Sequence, residues 1–194
     1  TTIVGGEKTF ETDYAMHILC KEADKRFFKR MGLILPDGTA NTTDGFVVKF
    51  SEREYFKEAM NGNNTASDCL IDILDGEEIN VFASPINHDG GVVGVIFATQ
   101  TQEKFSEMLE IESFSGDGYS YIIKSDGRPI VKTSHKGSIG AYDNLFETML
   151  QRGLSKQKID ELKNGIELGY TGSLECSRDG VERYLCYAPV GIND

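Results

Sequence analysis

The sequence predicts an α+β protein: two successive modules, each an antiparallel sheet of about five strands with flanking helices, behind an N-terminal helix. Three observations predict it. Short β-branched runs are separated by Asp-Gly turns rather than by the long crossovers that parallel strands need. Stretches with apolar residues three and four apart interrupt those runs. The order strand, strand, helix, strand, strand then begins again in the second half of the 194-residue chain, which marks an internal duplication.

Phe10, Tyr14 and Ile18 fall four apart among charged residues, so a helix opens the chain over residues 8–25. Residues 27–35 are more apolar and break at Pro36-Asp37-Gly38, a turn, before a short strand at 39–43. Ser51 and Glu54 match a capping box, so a helix begins at Glu52; Tyr55, Phe56, Ala59 and Met60 form its apolar face and Asn61-Gly62 ends it. Strands follow at 69–74 and 79–86 on either side of Asp75-Gly76, and at 92–99 after His88-Asp89-Gly90-Gly91. Phe105, Met108, Leu109 and Ile111 mark a further helix. The Gly/Ser-rich stretch 113–118 divides the chain into an N-terminal helix at 1–26, a first module at 27–112 and a second at 113–194.

In the second module, strands at 119–123 and 128–132 flank Ser125-Asp126-Gly127. Helices follow at 142–152 and 155–163, the latter capped by Ser155 and stopped by Gly165, and strands at 170–176 and 182–190 flank Asp179-Gly180. Ala83-Ser84-Pro85-Ile86 in the first copy corresponds to Tyr187-Ala188-Pro189-Val190 in the second, where the last strand is missing, so the chain reads as a piece of a longer one.

A chain with 39% hydrophobic and 26% charged residues is globular, and its net charge of -11 excludes nucleic acid as a partner, because phosphate binding needs clustered Lys and Arg. No apolar run reaches the roughly 18 to 20 residues of a membrane span, and the start of the chain has no signal-peptide pattern. The four cysteines, Cys20, Cys69, Cys176 and Cys186, form no Cys-x-x-Cys; a two-residue loop at Asp179-Gly180 puts Cys176 opposite Arg183 rather than Cys186, and all four read as buried free thiols.

Catalytic signatures are missing. His17, His88 and His135 are scattered with no metal spacing, Gly-x-Ser-x-Gly is absent, and Gly90-Gly91-Val92-Val93-Gly94 lies in a hairpin where it cradles no phosphate. No catalytic residue, metal or cofactor is expected. Arg53 breaks the local grammar instead, since a cation in a helix's first turn opposes the dipole and the free N–H groups. Either an acid such as Glu52 or Glu54 pairs with it at the surface, or the arginine, the helix start and the flanking aromatics hold an anionic small molecule.

Taken in order, "LPDGTANTTDG", "FSEREYFKEAMNG", "ASPINHDGGVVGVIFA" and "GYSYIIKSDGRPIVKT" resemble the double Cache domain of bacterial transmembrane receptors, over nearly the whole chain. The resemblance implies tandem PAS-like modules, membrane-distal and membrane-proximal, in an extracytoplasmic sensor with transmembrane segments on both sides, a possible homodimer, and a cytoplasmic output domain. "DGTANTTDG" with "REYFKEA" looks most like sensors attached to diguanylate cyclases. By the same resemblance, the distal module binds a small metabolite, with Arg53 on its carboxylate and Tyr55 and Phe56 in the wall. Amino-acid-binding members show Arg-x-Trp-Tyr here and an aspartate near the end of the last distal strand. This chain has Tyr55-Phe56 and Thr99-Gln100, so a plain carboxylate is as good a ligand as an amino acid, with Asp68 and Asp72 as candidate ammonium partners. The second module, lacking such a helix, transmits. The alternative is a PAS-like module that binds no ligand and mediates dimerisation.

Overall fold

The computed structural model of the protein describes residues 12–109, 116–131, 142–178 and 180–191, together with 133, 135, 136 and 138. Phe10, Ile111, Lys132, Asp179 and the Ser113 side of the expected module break lie outside the described residues. The chain forms two compact units that divide between Phe105 and Ser106, N-terminal to the expected break.

In the first unit, α1 (Thr12–Arg26) ends with Phe27 in the left-handed region, φ 59°, where Phe28 donates its N–H to the Ala23 carbonyl at 3.0 Å. Glycine usually fills that position; here the buried Gln100 amide donates to the Phe27 carbonyl at 2.6 Å and holds the turn. Strands β1 (Arg30–Ile34), β2 (Thr39–Thr42), β3 (Val47–Lys49), β4 (Thr65–Ala66), β5 (Leu70–Ile71), β6 (Glu78–His88) and β7 (Gly91–Thr101) follow, with α2 (Glu54–Met60) between β3 and β4; α3 (Gln102–Met108) comes after β7 and contains the division between the units. They make a seven-stranded antiparallel sheet in the order β3-β2-β1-β7-β6-β4, with β5 also on β6. This is wider than the five strands expected, because β3 and β4 are too short to show a two-residue period in the sequence.

The long β6–β7 hairpin turns at Asp89-Gly90, both at positive φ (49° and 77°), which suits the twist of paired strands. Its register fixes which side chains share a face, since directly paired residues point the same way. Val81, Ala83, Val95, Phe97, Ile34 and Ala40 face α2 and pack with Phe50, Tyr55, Phe56 and Ala59. Met31, Leu33 and Ala98 face the other way and pack with Leu19 and Ala23 of α1.

The second unit holds two separate hairpins among the described residues rather than one sheet of five: β8 (Ile122–Ile123) with β9 (Pro129–Val131), and β10 (Gly172–Arg178) with β11 (Val181–Tyr187). Between them lie α4 (Leu145–Gln151), capped by Asn144, and α5 (Lys156–Glu167), capped by Ser155 as expected. Phe146, Ile159, Leu162 and Leu174 form its core. Cys176 does oppose Arg183, and all four cysteines are free; they are half-buried or, for Cys186, exposed rather than buried. Gly165 does not stop α5. It lies inside the helix against the Tyr187 ring, and Gly169 at φ 66° takes the terminating position.

Gly32 in β1 sits opposite Thr42 and Phe97 on the α2 face. A Cβ there would meet the Asn41 carbonyl oxygen and lie 2.5 Å from Phe97 Cε1. The backbone atom cannot yield, so Gly32→Ala is expected to destabilise the protein by about 2 to 3 kcal/mol. Urea unfolding followed by circular dichroism measures this, and an unchanged midpoint contradicts it.

Candidate functional site

Arg53 is the N-cap residue of α2, with extended backbone (φ −75°, ψ 133°), and the helix starts at Glu54, two residues later than the capping box implied. The reason lies in Phe50. Its buried ring meets Tyr55 at 6.1 Å and Phe97 at 5.7 Å, both edge-to-face, and its carbonyl accepts the Arg53 N–H at 2.9 Å, closing a turn before the helix begins. Ser51 is therefore drawn against Gly38 and caps nothing. The Arg53 carbonyl instead accepts from Phe56 and Lys57, both at 3.1 Å.

The Arg53 side chain is half-buried and, among the described residues, has no ion pair or hydrogen bond. The acid expected beside it is engaged elsewhere: Glu52 bonds Lys57 at 3.2 Å. The ordinary surface pair is thus not what the structure holds. With seven residues, α2 has only a small dipole, so any attraction for an anion rests on the guanidinium itself.

Tyr55 and Phe56 face the sheet and are buried. Burial pushes the Tyr55 phenol well above its usual range, the Arg53 charge pulls it down and the Asp72 charge pushes it up, so Arg53, Tyr55 and Asp72 are within electrostatic reach of one another. Thr99 is buried on the same face, opposite Arg30 and Val81, and its Oγ1 donates to the Arg30 carbonyl at 3.4 Å. Asp68 is half-buried in the link between β4 and β5, where the Ser67 hydroxyl donates to the Asp68 carbonyl at 2.7 Å.

Asp72 is occupied. Its Oδ2 accepts from Arg30 Nη1 at 2.7 Å and lies 3.1 Å from Lys29 Nζ, and its Oδ1 accepts the Leu74 N–H at 3.0 Å. Burial alone would raise this carboxyl; the Leu74 N–H, Arg30 and Lys29 outweigh it and hold the pKa below the usual carboxylate value. Arg30 also bonds Asp44 through Nε at 2.6 Å, and Lys29 reaches Asp75 at 2.7 Å and Glu77 at 2.9 Å. Sequence reasoning missed this pair of cations. The signal was present, since Lys29-Arg30 interrupts an apolar strand and a charge placed there must find a partner.

Among the described residues no group of three His, Cys, Asp or Glu is placed to hold a metal ion, and no helix is long and apolar enough to cross a membrane. No protein-family model matches the chain. Solved structures do. The ligand-binding domain of the Pseudomonas aeruginosa PAO1 amino acid chemoreceptor PctC, in complex with GABA, is similar with a TM-score of 0.62 and 18% identity over 96% of this chain and 78% of that one. The ligand-binding domain of the Pseudomonas fluorescens chemoreceptor CtaA, in complex with L-isoleucine, gives 0.67 and 18% over 94% and 71%. The extracellular domain assigned to a histidine kinase, mmHK1S-Z3, gives 0.65 and 16% over 94% and 76%. The α+β fold of this chain is thus shared with the ligand-binding domains of those two chemoreceptors and with that extracellular domain.

Because the folded pKa of Asp72 lies below its unfolded value of about 4, its contribution to stability is fully present above about pH 4 and is lost as pH falls through the folded value. Wild type is expected to exceed Asp72→Asn in unfolding free energy by about 3 kcal/mol at neutral pH. That gap should shrink progressively below about pH 4. Denaturant titrations across the range test it; a gap constant down to about pH 2 assigns the effect to shape rather than charge.

Proposed function

We propose that this chain is the ligand-sensing domain of a bacterial signal-transduction receptor, lying outside the cytoplasm and tethered to the membrane by segments beyond it. The first unit, the membrane-distal module, binds a small anionic metabolite such as a carboxylate. The second, membrane-proximal, passes the change in packing to a cytoplasmic output domain, a diguanylate cyclase, histidine kinase or chemotaxis transducer. The observation that carries this reading is the half-buried Arg53 guanidinium, which no acid among the described residues neutralises although the chain has 31 acidic residues. Tyr55 and Phe56 wall the site, with Thr99, Asp68 and Asp72 at its margin. The fold supports it, and so do the printed ligands of the similar receptors, GABA and L-isoleucine, which both carry a carboxylate. A ligand biases output only by its differential affinity for two states of the domain.

A second reading, in which the chain binds no small molecule and mediates dimerisation, draws on Tyr14 and Ile18, four apart on α1 and 63% and 42% exposed. The two are separated by a thermal-shift screen of carboxylates, amino acids and related metabolites. With a hit in hand, Arg53→Ala is expected to cost about 2 to 5 kcal/mol of binding while leaving folding nearly unchanged, and Arg53→Lys to restore part of the affinity, because a point charge replaces a planar fork. A ligand that stabilises Arg53→Ala as much as wild type sinks the assignment of the site.

A further inference from the structure

The second unit repeats the first at its opening turn. Gly127 donates its N–H to the Lys124 carbonyl at 2.9 Å and Arg128 to Asp126 Oδ1 at 3.0 Å, as Gly38 does to Leu35 at 2.8 Å and Thr39 to Asp37 Oδ1 at 2.9 Å. The paired strands agree, with Ile123 opposite Pro129 as Ile34 is opposite Ala40. Tyr119, Tyr121 and Ile123 therefore stand where Arg30, Gly32 and Ile34 stand in the first unit. There Ile34 faces α2 and packs with Tyr55 and Phe56. Here Tyr121 and Ile123 pack together against Tyr142 and Leu145, so the second unit places aromatic rings on the side where the first has a glycine.

Those rings form a connected cluster. Tyr119 and Tyr121 meet edge-to-face at 5.5 Å, Tyr121 meets Tyr142 in the same way at 5.5 Å, and His135 stacks on Tyr119 at 5.1 Å. Arg183 joins it from β11, donating from Nη1 to the Tyr119 hydroxyl at 3.2 Å, while His135 Nε2 donates to the Gly116 carbonyl at 2.6 Å. Two donors are left over. Arg183 Nε and the Tyr142 hydroxyl are both shut from water with no hydrogen-bond partner, and Tyr142 is only 5% exposed. Among the described residues no acid neutralises Arg183. A buried donor without an acceptor is costly, so folded proteins keep few of them. Two in one cluster, one of them on an unneutralised cation, fit an acceptor that carries negative charge. We propose that the second unit holds an anion site of its own, in which a small monocarboxylate accepts from Arg183 Nε and the Tyr142 hydroxyl and lays its apolar body against the tyrosine rings. One guanidinium and one neutral hydroxyl balance a single charge, which favours a carboxylate over a doubly charged phosphate. This site goes beyond the reading of Arg53 and does not depend on it.

The test titrates the protein with acetate, propionate and benzoate, and with inorganic phosphate for comparison, by thermal shift and calorimetry. At least one carboxylate is expected to raise the melting temperature. Tyr142→Phe removes the unpaired hydroxyl at nearly constant shape, so the free protein is expected to melt higher while affinity for that carboxylate falls about tenfold or more. A hydroxyl with a purely structural role gives the opposite sign, and a free Tyr142→Phe protein that melts lower overturns the proposal. Arg183→Gln is expected to weaken binding to a similar degree and Arg183→Lys to recover part of it, whereas Arg53→Ala leaves it unchanged. Binding of no carboxylate, phosphate bound more tightly than every carboxylate, or an affinity unmoved by Tyr142→Phe also overturns it. A shift lost in Arg53→Ala and kept in Arg183→Gln overturns this site and upholds the one at Arg53; the reverse pattern upholds this site whatever becomes of Arg53. If Arg183→Gln does not fold, Tyr142→Phe decides alone.

Discussion

The first unit is arranged around a guanidinium that cannot reach water. Arg30 enters the sheet on β1 and is 3% exposed, and a charge in that position costs several kcal/mol unless it is paired and hydrogen-bonded. Its partners come from two other parts of the chain: Asp44 in the turn between β2 and β3, and Asp72 and Asp75 in the loop between β5 and β6. Those segments are short and irregular, with little apolar surface of their own to hold them. The ion pairs therefore do what a core does elsewhere, drawing both edges of the sheet toward its centre. Lys29 reinforces the same loop from the preceding residue through Asp72, Asp75 and Glu77.

The aromatic layer beside it sets the position of α2. Phe50 meets Tyr55 and Phe97 edge-to-face, and Phe97 in turn reaches over Gly32, where a side chain would displace it. A seven-residue helix has little stability of its own, so its place comes from burying Tyr55, Phe56 and Ala59 on this layer. The turn from Phe50 to Arg53 follows from the same packing. It delays the helix by two residues and brings Arg53 to the cap position, which turns a first-turn cation into one at the helix boundary.

The parts of the fold that were legible in the sequence are those dictated by local backbone chemistry. Asp89-Gly90 declared a hairpin because both residues must adopt positive φ, and the two-residue loop at Asp179-Gly180 dictated that Cys176 faces Arg183. Tyr55, Phe56 and Ala59 declared a buried helical face by spacing alone. What was not legible depends on tertiary partners. The bond from Arg30 to Asp72 spans 42 residues of sequence, and no local pattern names the far end of such a pair. The capping box at Ser51 and Glu54 is a sound local rule that lost to the anchoring of Phe50, a contact made with β7 rather than with neighbours in the chain. Gly165 likewise looked like a helix stop, because its role is to admit the Tyr187 ring, a residue of another element.

Arg30 and Arg53 are the same side chain in opposite circumstances, and the contrast is the physical ground for proposing an anion site on an acidic protein. Arg30 faces inward from a strand, and its charge is spent on Asp72 and Asp44, so it attracts little beyond them. Arg53 leaves the chain at a helix boundary where Glu52 is turned to Lys57 and no other acid among the described residues approaches it. An anion meeting a paired arginine must first displace an internal carboxylate, and the gain is only the difference between two similar contacts. An anion meeting Arg53 displaces water alone and keeps the whole charge-assisted bond. The long-range field of a chain with net charge -11 opposes the approach, but that field is screened within about 8 Å at physiological salt, whereas the proposed contact would be made at hydrogen-bond distance in a half-buried place. At the proposed site short-range geometry would thus decide what binds, and the overall charge would govern only how fast a ligand arrives.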